Sequence, residues 1–196
     1  MMKSLKGTKT AENLMKSFAG ECQARTRYTY FSSTARKEGY VQISNIFLET
    51  AENEKEHAKR FYKFLKDDLQ GEAVEINAAY PVELPTDTLT NLKFAAEGEH
   101  DELSNLYPSF ADVADEEGFP EVAAAFRMIA KAETAHYNRF MKLAKNIEEG
   151  KVFKKDEVVL WKCGNCGFIW EGAEAPLKCP ACLHPQAYFE VFKESY

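Results

Sequence analysis

The sequence predicts a mainly α protein: a four-helix bundle with one long crossover between its two helical hairpins, followed by a small C-terminal β domain built on four cysteines. Three observations lead there. Apolar residues recur at helical spacing from Thr10 to Glu149, in a stretch rich in Ala, Glu, Lys, Leu and Phe. Chain breakers gather at only a few places within that stretch. After Gly150 the pattern changes to short β-prone runs separated by Gly and Pro, among which stand two Cys-x-x-Cys pairs.

Taken in order, the first two helices divide at Lys37-Glu38-Gly39. The stretch from Gln70 to Asp87 holds Gly71, Pro81 and Pro85 and no helical stripe, so it is the crossover. Glu117-Gly118-Phe119-Pro120 divides the last two helices, with Pro120 suited to a first helical turn. Short, long and short connections are those of a ferritin-like bundle. Within the third helix Pro108 predicts a kink. Val158-Val159-Leu160-Trp161 and Tyr188-Phe189-Glu190-Val191-Phe192 are expected strands, which sets the domains at residues 1–149 and 150–196.

A chain of 196 residues with 45% hydrophobic residues can bury one good core and carry a small appendage. Net charge is −6 and no basic cluster is present, which argues against a nucleic-acid partner. Met1 to Thr10 is polar, and no apolar run is long enough to span a bilayer, so a cytoplasmic location without membrane contact is expected. In that reducing compartment, paired cysteines favour metal over disulfides.

The fourth helix carries an inward stripe of Val122, Phe126, Ile129, Glu133, His136, Phe140, Leu143 and Ile147. The second repeats it with Ile43, Phe47, Thr50, Glu54, His57, Phe61 and Phe64. Leu14, Phe18, Glu21 and Tyr28 line the first helix, and Leu92, Ala95, Glu99, Glu102, Leu106 and Val113 the third. The two hairpins also resemble each other: Glu54 follows Glu21 by 33 residues, Glu133 follows Glu99 by 34, and His57-Ala-Lys-Arg-Phe61 echoes His136-Tyr-Asn-Arg-Phe140. Five inward carboxylates without an inward lysine would each cost several kcal/mol unpaired, so metal is the natural counterion. Two divalent ions with one imidazole apiece suit iron or manganese better than zinc or magnesium. A Glu from each of two helices and Glu-x-x-His from each of the others resembles the di-iron or di-manganese site of ferritin-like proteins. Tyr28 and Tyr107 are candidates to hydrogen-bond the ligand carboxylates. His100, His184 and Cys22 are expected to be structural or surface residues.

Cys163-Gly-Asn-Cys166 and Cys179-Pro-Ala-Cys182 present two thiolate pairs, with twelve residues between them that let the pairs face each other in a tetrahedral site. Zinc and iron both suit four thiolates, and a structural zinc ribbon is the commoner outcome for this spacing. Trp161, Phe168, Trp170, Tyr188, Phe189 and Phe192 are expected to form an aromatic shell around it.

A duplicated carboxylate bundle followed by Cys-x2-Cys-x12-Cys-x2-Cys resembles the rubrerythrin family over essentially the whole chain. Phe18-Ala-Gly-Glu-Cys-Gln-Ala-Arg25, Glu54-Lys-Glu-His-Ala-Lys-Arg60 and Gly98-Glu-His-Asp-Glu102 are similar to its ligand motifs. The resemblance implies that Glu21, Glu54, His57, Glu99, Glu102, Glu133 and His136 bind a di-iron pair. It implies a rubredoxin-like Fe(Cys)4 centre on Cys163, Cys166, Cys179 and Cys182, which can take zinc in recombinant protein. It further implies a hydrogen peroxide peroxidase fed from NADH through rubredoxin or other donor proteins, with one iron exchanging His57 for Glu102 on oxidation. A head-to-tail homodimer is expected, because the helix beyond His136 carries the second domain away from its own bundle's metals. Two other readings compete: a ferroxidase that stores iron, and a peroxide sensor with a structural zinc ribbon.

Overall fold

The computed structural model describes residues 3–82 and 86–194, so Met1 and Pro85, named above, lie outside the described residues. Helix α1 (Lys9–Lys37) starts where Thr8 accepts the Ala11 N–H, and it pairs with α2 (Val41–Leu69). The described residues of the predicted crossover hold no helix or strand, and Asp87 caps α3 (Thr88–Asp101) by accepting the Thr90 N–H at 2.8 Å. A π turn (Glu102–Leu106) and α4 (Tyr107–Glu116) continue the third bundle helix, and α5 (Pro120–Glu148) is the fourth. Both hairpin turns use a glycine in the left-handed region, Gly39 at φ +85° and Gly118 at φ +79°. Among the described residues no helix is long and apolar enough to cross a membrane.

Instead of a simple kink at Pro108, the third helix widens just before it. The Tyr107 N–H reaches back five residues to the Glu102 carbonyl. Pro108 has no N–H for the Ser104 carbonyl, and its ring would clash there in regular α geometry, so a wider turn relieves both problems. The extra residue also shifts the helix phase, which corrects the predicted stripe. Tyr107, Ala111 and Ala114 beyond the turn are buried, while Leu106, its last residue, is 38% exposed and Val113 only half-buried.

Two apolar layers fill the bundle. Leu14, Phe61, Leu65, Tyr107 and Phe126 form one, and Tyr28, Phe31, Phe47, Phe140 and Leu143 the other. Both contain residues from the first and second hairpins. Buried between these stripes are Glu21, Glu54, Glu99 and Glu133.

Past Gly150 the chain forms an antiparallel sheet of order β2-β1-β3, from β1 (Lys154–Cys163), β2 (Ile169–Glu174) and β3 (Phe189–Val191). Its small core joins Trp161, Ala175 and Phe189 to Cys163 and Cys179, with Phe168 and Tyr188 packed against them. Trp170 and Phe192 do not join that core. Trp170 lies on the edge strand β2, 38% exposed. The domain meets the bundle at its hairpin end, where the Phe153 ring stacks on Tyr40 with centroids 6.2 Å apart.

Candidate metal centres

Four helices bring six predicted ligands to one place. Glu21, Glu54, His57 and Glu133 form one group and Glu54, Glu99, Glu133 and His136 another, with ligand atoms of each group within 4.8 Å of one another. The groups share two carboxylates. Glu133 sets Oε1 2.9 Å from His57 Nδ1 and Oε2 2.8 Å from His136 Nδ1. Glu54 does the same, with Oε2 3.0 Å from His57 Nδ1 and Oε1 3.2 Å from His136 Nδ1. Glu21 lies 3.8 Å from His57 and Glu99 3.5 Å from His136. The i, i+3 spacing of each Glu-x-x-His pair puts both side chains on one helix face, so two helices deliver the shared half of the cluster.

These atoms fit a pair of cations. Both Glu133 oxygens, Glu54 Oε1, Glu99 Oε2, Glu21 Oε2 and His136 Nδ1 are buried without a hydrogen-bond partner, although several lie within 3.2 Å of one another. Six unpartnered donor atoms, most of them carboxylate oxygens, that converge in one buried place without hydrogen-bond geometry call for ions between them. Four clustered carboxylates balance two divalent ions.

Tyr107 donates to Glu21 at 2.5 Å and Tyr28 to Glu99 at 2.5 Å, each reaching across from the other hairpin. Burial, then Glu99 for Tyr28 and Glu102 for Tyr107, holds both phenols well above their ordinary range, so they remain donors. Glu102 enters neither group. It stands on the π turn and faces a cavity between α1 and the crossover. Cys22 and His100 are exposed, and His184 packs on Tyr188 beside the cysteines.

Without metal the cluster stores protons. Burial lowers the His57 and His136 values, but Glu133 and Glu54 outweigh it and raise them to about 9 and about 12. Glu133 falls to about 2 against its own burial, through His136 and His57. Burial, with Glu102 for Glu21 and Glu54 for Glu99, pushes those two carboxyls well above the ordinary range. The stability given by raised His57 is complete below pH 6.5 and is lost as pH rises through about 9, that of His136 only through about 12. Raised carboxyls act in the same direction, since ionising Glu21 and Glu99 opposes folding as pH climbs above 4.5. The metal-free bundle should therefore lose roughly 10 °C of Tm between pH 6.5 and 9, and the metal-loaded bundle should not. Helical circular dichroism on both forms checks this, and parallel curves would contradict it.

The cysteine pairs face each other, with Cys163 Sγ 3.8 Å from Cys182 Sγ and Cys166 Sγ 3.7 Å from Cys179 Sγ. Backbone N–H groups of Phe168 and His184 reach Cys166 and Cys182. The His184 N–H leads in lowering Cys182 to about 6, while Cys166, although lowered by Phe168, is carried up to about 12 by the other thiols. None of the four forms a disulfide.

Bundle and knuckles together define a class: a ferritin-like carboxylate bundle with a dimetal site, joined to a rubredoxin-like tetrathiolate domain. The chain belongs to the rubrerythrin family, whose signature matches residues 12–144, with the rubrerythrin rubredoxin-like domain matching residues 161–190. Its cofactors are those of the family, a di-iron site and a four-cysteine metal site. It is 67% identical to rubrerythrin-1 of Clostridium acetobutylicum over the full length of both chains. Identity to rubrerythrin of Porphyromonas gingivalis is 52%, covering 100% of this chain and 96% of that one. The fully reduced, all-ferrous structure of nigerythrin superposes with a TM-score of 0.63 at 31% identity, over 97% of this chain and 92% of that one. The chain is accordingly an iron-based redox protein.

Proposed function

We propose that the chain is a peroxidase that reduces hydrogen peroxide to water, with electrons delivered through its tetrathiolate domain. The observation that carries this reading is one chain holding both a cluster in which two carboxylates face both histidines and a separate four-cysteine set. Glu54 and Glu133, which face both histidines, would help to hold the two ions. Glu21 with His57 and Glu99 with His136 would complete the two positions, and Cys163, Cys166, Cys179 and Cys182 would hold the third ion. When bound, the iron pair supplies two electrons to an O–O bond together, so peroxide is cleaved without release of a hydroxyl radical.

The chain's own residues set the conditions. Tyr28 and Tyr107 hold Glu99 and Glu21 in place, which preorganises the donor set. Apolar layers above and below exclude water. Glu102 faces the cavity from which peroxide would arrive, and it is the carboxylate that would exchange with His57. Electrons would come from NADH through rubredoxin or another donor protein in the cytoplasm. The domains in this reading are residues 1–149 and 150–196, working in a head-to-tail homodimer. The cysteine domain rests on Tyr40, and Glu54 lies 14 residues further along α2, about 21 Å at the helical rise. A second chain packed antiparallel would shorten that path.

Stopped-flow reoxidation of the fully reduced protein tests the reading: peroxide should react much faster than dioxygen, and the reverse order would refute it. Glu102→Ala should leave the bundle folded and metallated, because six clustered ligands remain, yet slow its turnover with peroxide about tenfold or more. Unchanged kinetics would remove Glu102 from the reaction.

A further inference from the structure

A cavity of about 530 Å³ opens between α1, the crossover and the π turn. A water takes about 30 Å³, and pockets for organic molecules begin at about 300 Å³, so this volume far exceeds what hydrogen peroxide needs. Gly20 forms its floor: a Cβ there would stand 3.6 Å from the Tyr80 ring and 3.9 Å from Glu102 Oε1. Tyr80 fixes the opposite wall by donating to the Lys16 carbonyl at 2.7 Å. Ala78, Ala79, Pro81, Leu106 and Phe110 make one side apolar, while Glu102 and Tyr107 mark the side nearest the metal cluster.

One buried side-chain oxygen of a lining residue lacks a partner. Ser17 is 4% exposed and lines the cavity, and its buried Oγ makes no hydrogen bond. A buried hydroxyl without a partner costs about 1–3 kcal/mol unless something supplies one. A ligand with a polar end near Ser17 and an apolar remainder satisfies both walls at once.

We propose that this cavity is a binding site for small alkyl hydroperoxides, with the –OOH end held by Ser17 near Glu102 and the alkyl group against Ala78, Ala79 and Phe110. The inference rests on the peroxidase reading and deepens it. In the reaction the O–O bond breaks, two electrons from the reduced protein and two protons enter, and one alcohol and one water leave.

The test uses the iron-loaded protein with tert-butyl hydroperoxide and hydrogen peroxide in parallel. Reduced protein should yield one tert-butanol for every two electrons consumed. Ala79→Phe should lower the ratio of the two kcat/KM values, alkyl over hydrogen peroxide, about tenfold, and Ser17→Ala should raise KM for the alkyl substrate about fivefold with little change in kcat. Saturation-transfer NMR of tert-butanol on the oxidised holoprotein supplies a readout apart from turnover: signal in the parent, and a weakened signal in both variants. If hydrogen peroxide alone is reduced, or tert-butanol binds all three proteins equally, the proposal fails while the peroxidase reading stands. If neither oxidant is reduced, both fail.

Discussion

Replacing Cys163 by serine should lower steady-state peroxide reduction by roughly two orders of magnitude or more, while a chemically reduced bundle still consumes a single charge of peroxide. Cys163 is fully buried at the end of β1, and its Sγ is one of four that converge. A serine hydroxyl is a poor substitute for a soft thiolate, so the third metal is lost or held weakly. None of the bundle's apolar layers includes a residue of that domain, so the carboxylate cluster should survive the change. Steady-state assay with a donor protein, set beside single-turnover oxidation, separates the two roles. Equal loss of both would mean that the cysteines serve folding.

The second large effect is expected when inactive variants are combined. Cys163→Ser and Glu133→Ala each disable one centre, the second by removing the carboxylate that faces both histidines. In the proposed head-to-tail homodimer, dissociation and reassembly would give mixed dimers with one intact cysteine domain and one intact bundle on different chains. Transfer between subunits should restore up to half of the parent activity from near zero. Verified mixed dimers that stay inactive, while both parents remain folded dimers, would place electron flow within one chain.

Much of this architecture was legible because helical periodicity exposes any charged residue that falls on an apolar stripe. Glu54, His57, Glu133 and His136 stood among Phe47, Phe61, Phe126 and Phe140, and all lie in the interior of the bundle. The breakers at Gly39 and Gly118 fall at turns that need positive φ. Glu102 was harder to place, since a stripe assumes one continuous helical phase and the π turn breaks it. A trace was nevertheless present in the spacing of 33 residues in one hairpin and 34 in the other. Pro108 drew that irregularity towards a kink. The division of labour between Glu54 and Glu133 on one side and Glu21 and Glu99 on the other depends on rotamers and on atoms from four helices, which no single periodicity encodes. Ser17 and the cavity it lines depend on where the crossover lies, and that segment has no pattern to read.

The widened turn before Pro108 has a consequence for how the duplicated halves can diverge. Seven residues separate Glu21 from Tyr28, whereas eight separate Glu99 from Tyr107, yet each tyrosine reaches the glutamate of the opposite hairpin. The π turn absorbs the surplus residue. Deleting one residue between Glu102 and Leu106 would restore plain α geometry and place the tyrosine seven residues after Glu99, the spacing by which Tyr28 follows Glu21. Tyr107 would then keep its reach to Glu21, and Ala111 and Ala114 their places in the core. One surplus residue thus gives Glu102 a position with no counterpart in the first hairpin while the crossed tyrosine–glutamate pairing of the two halves is kept.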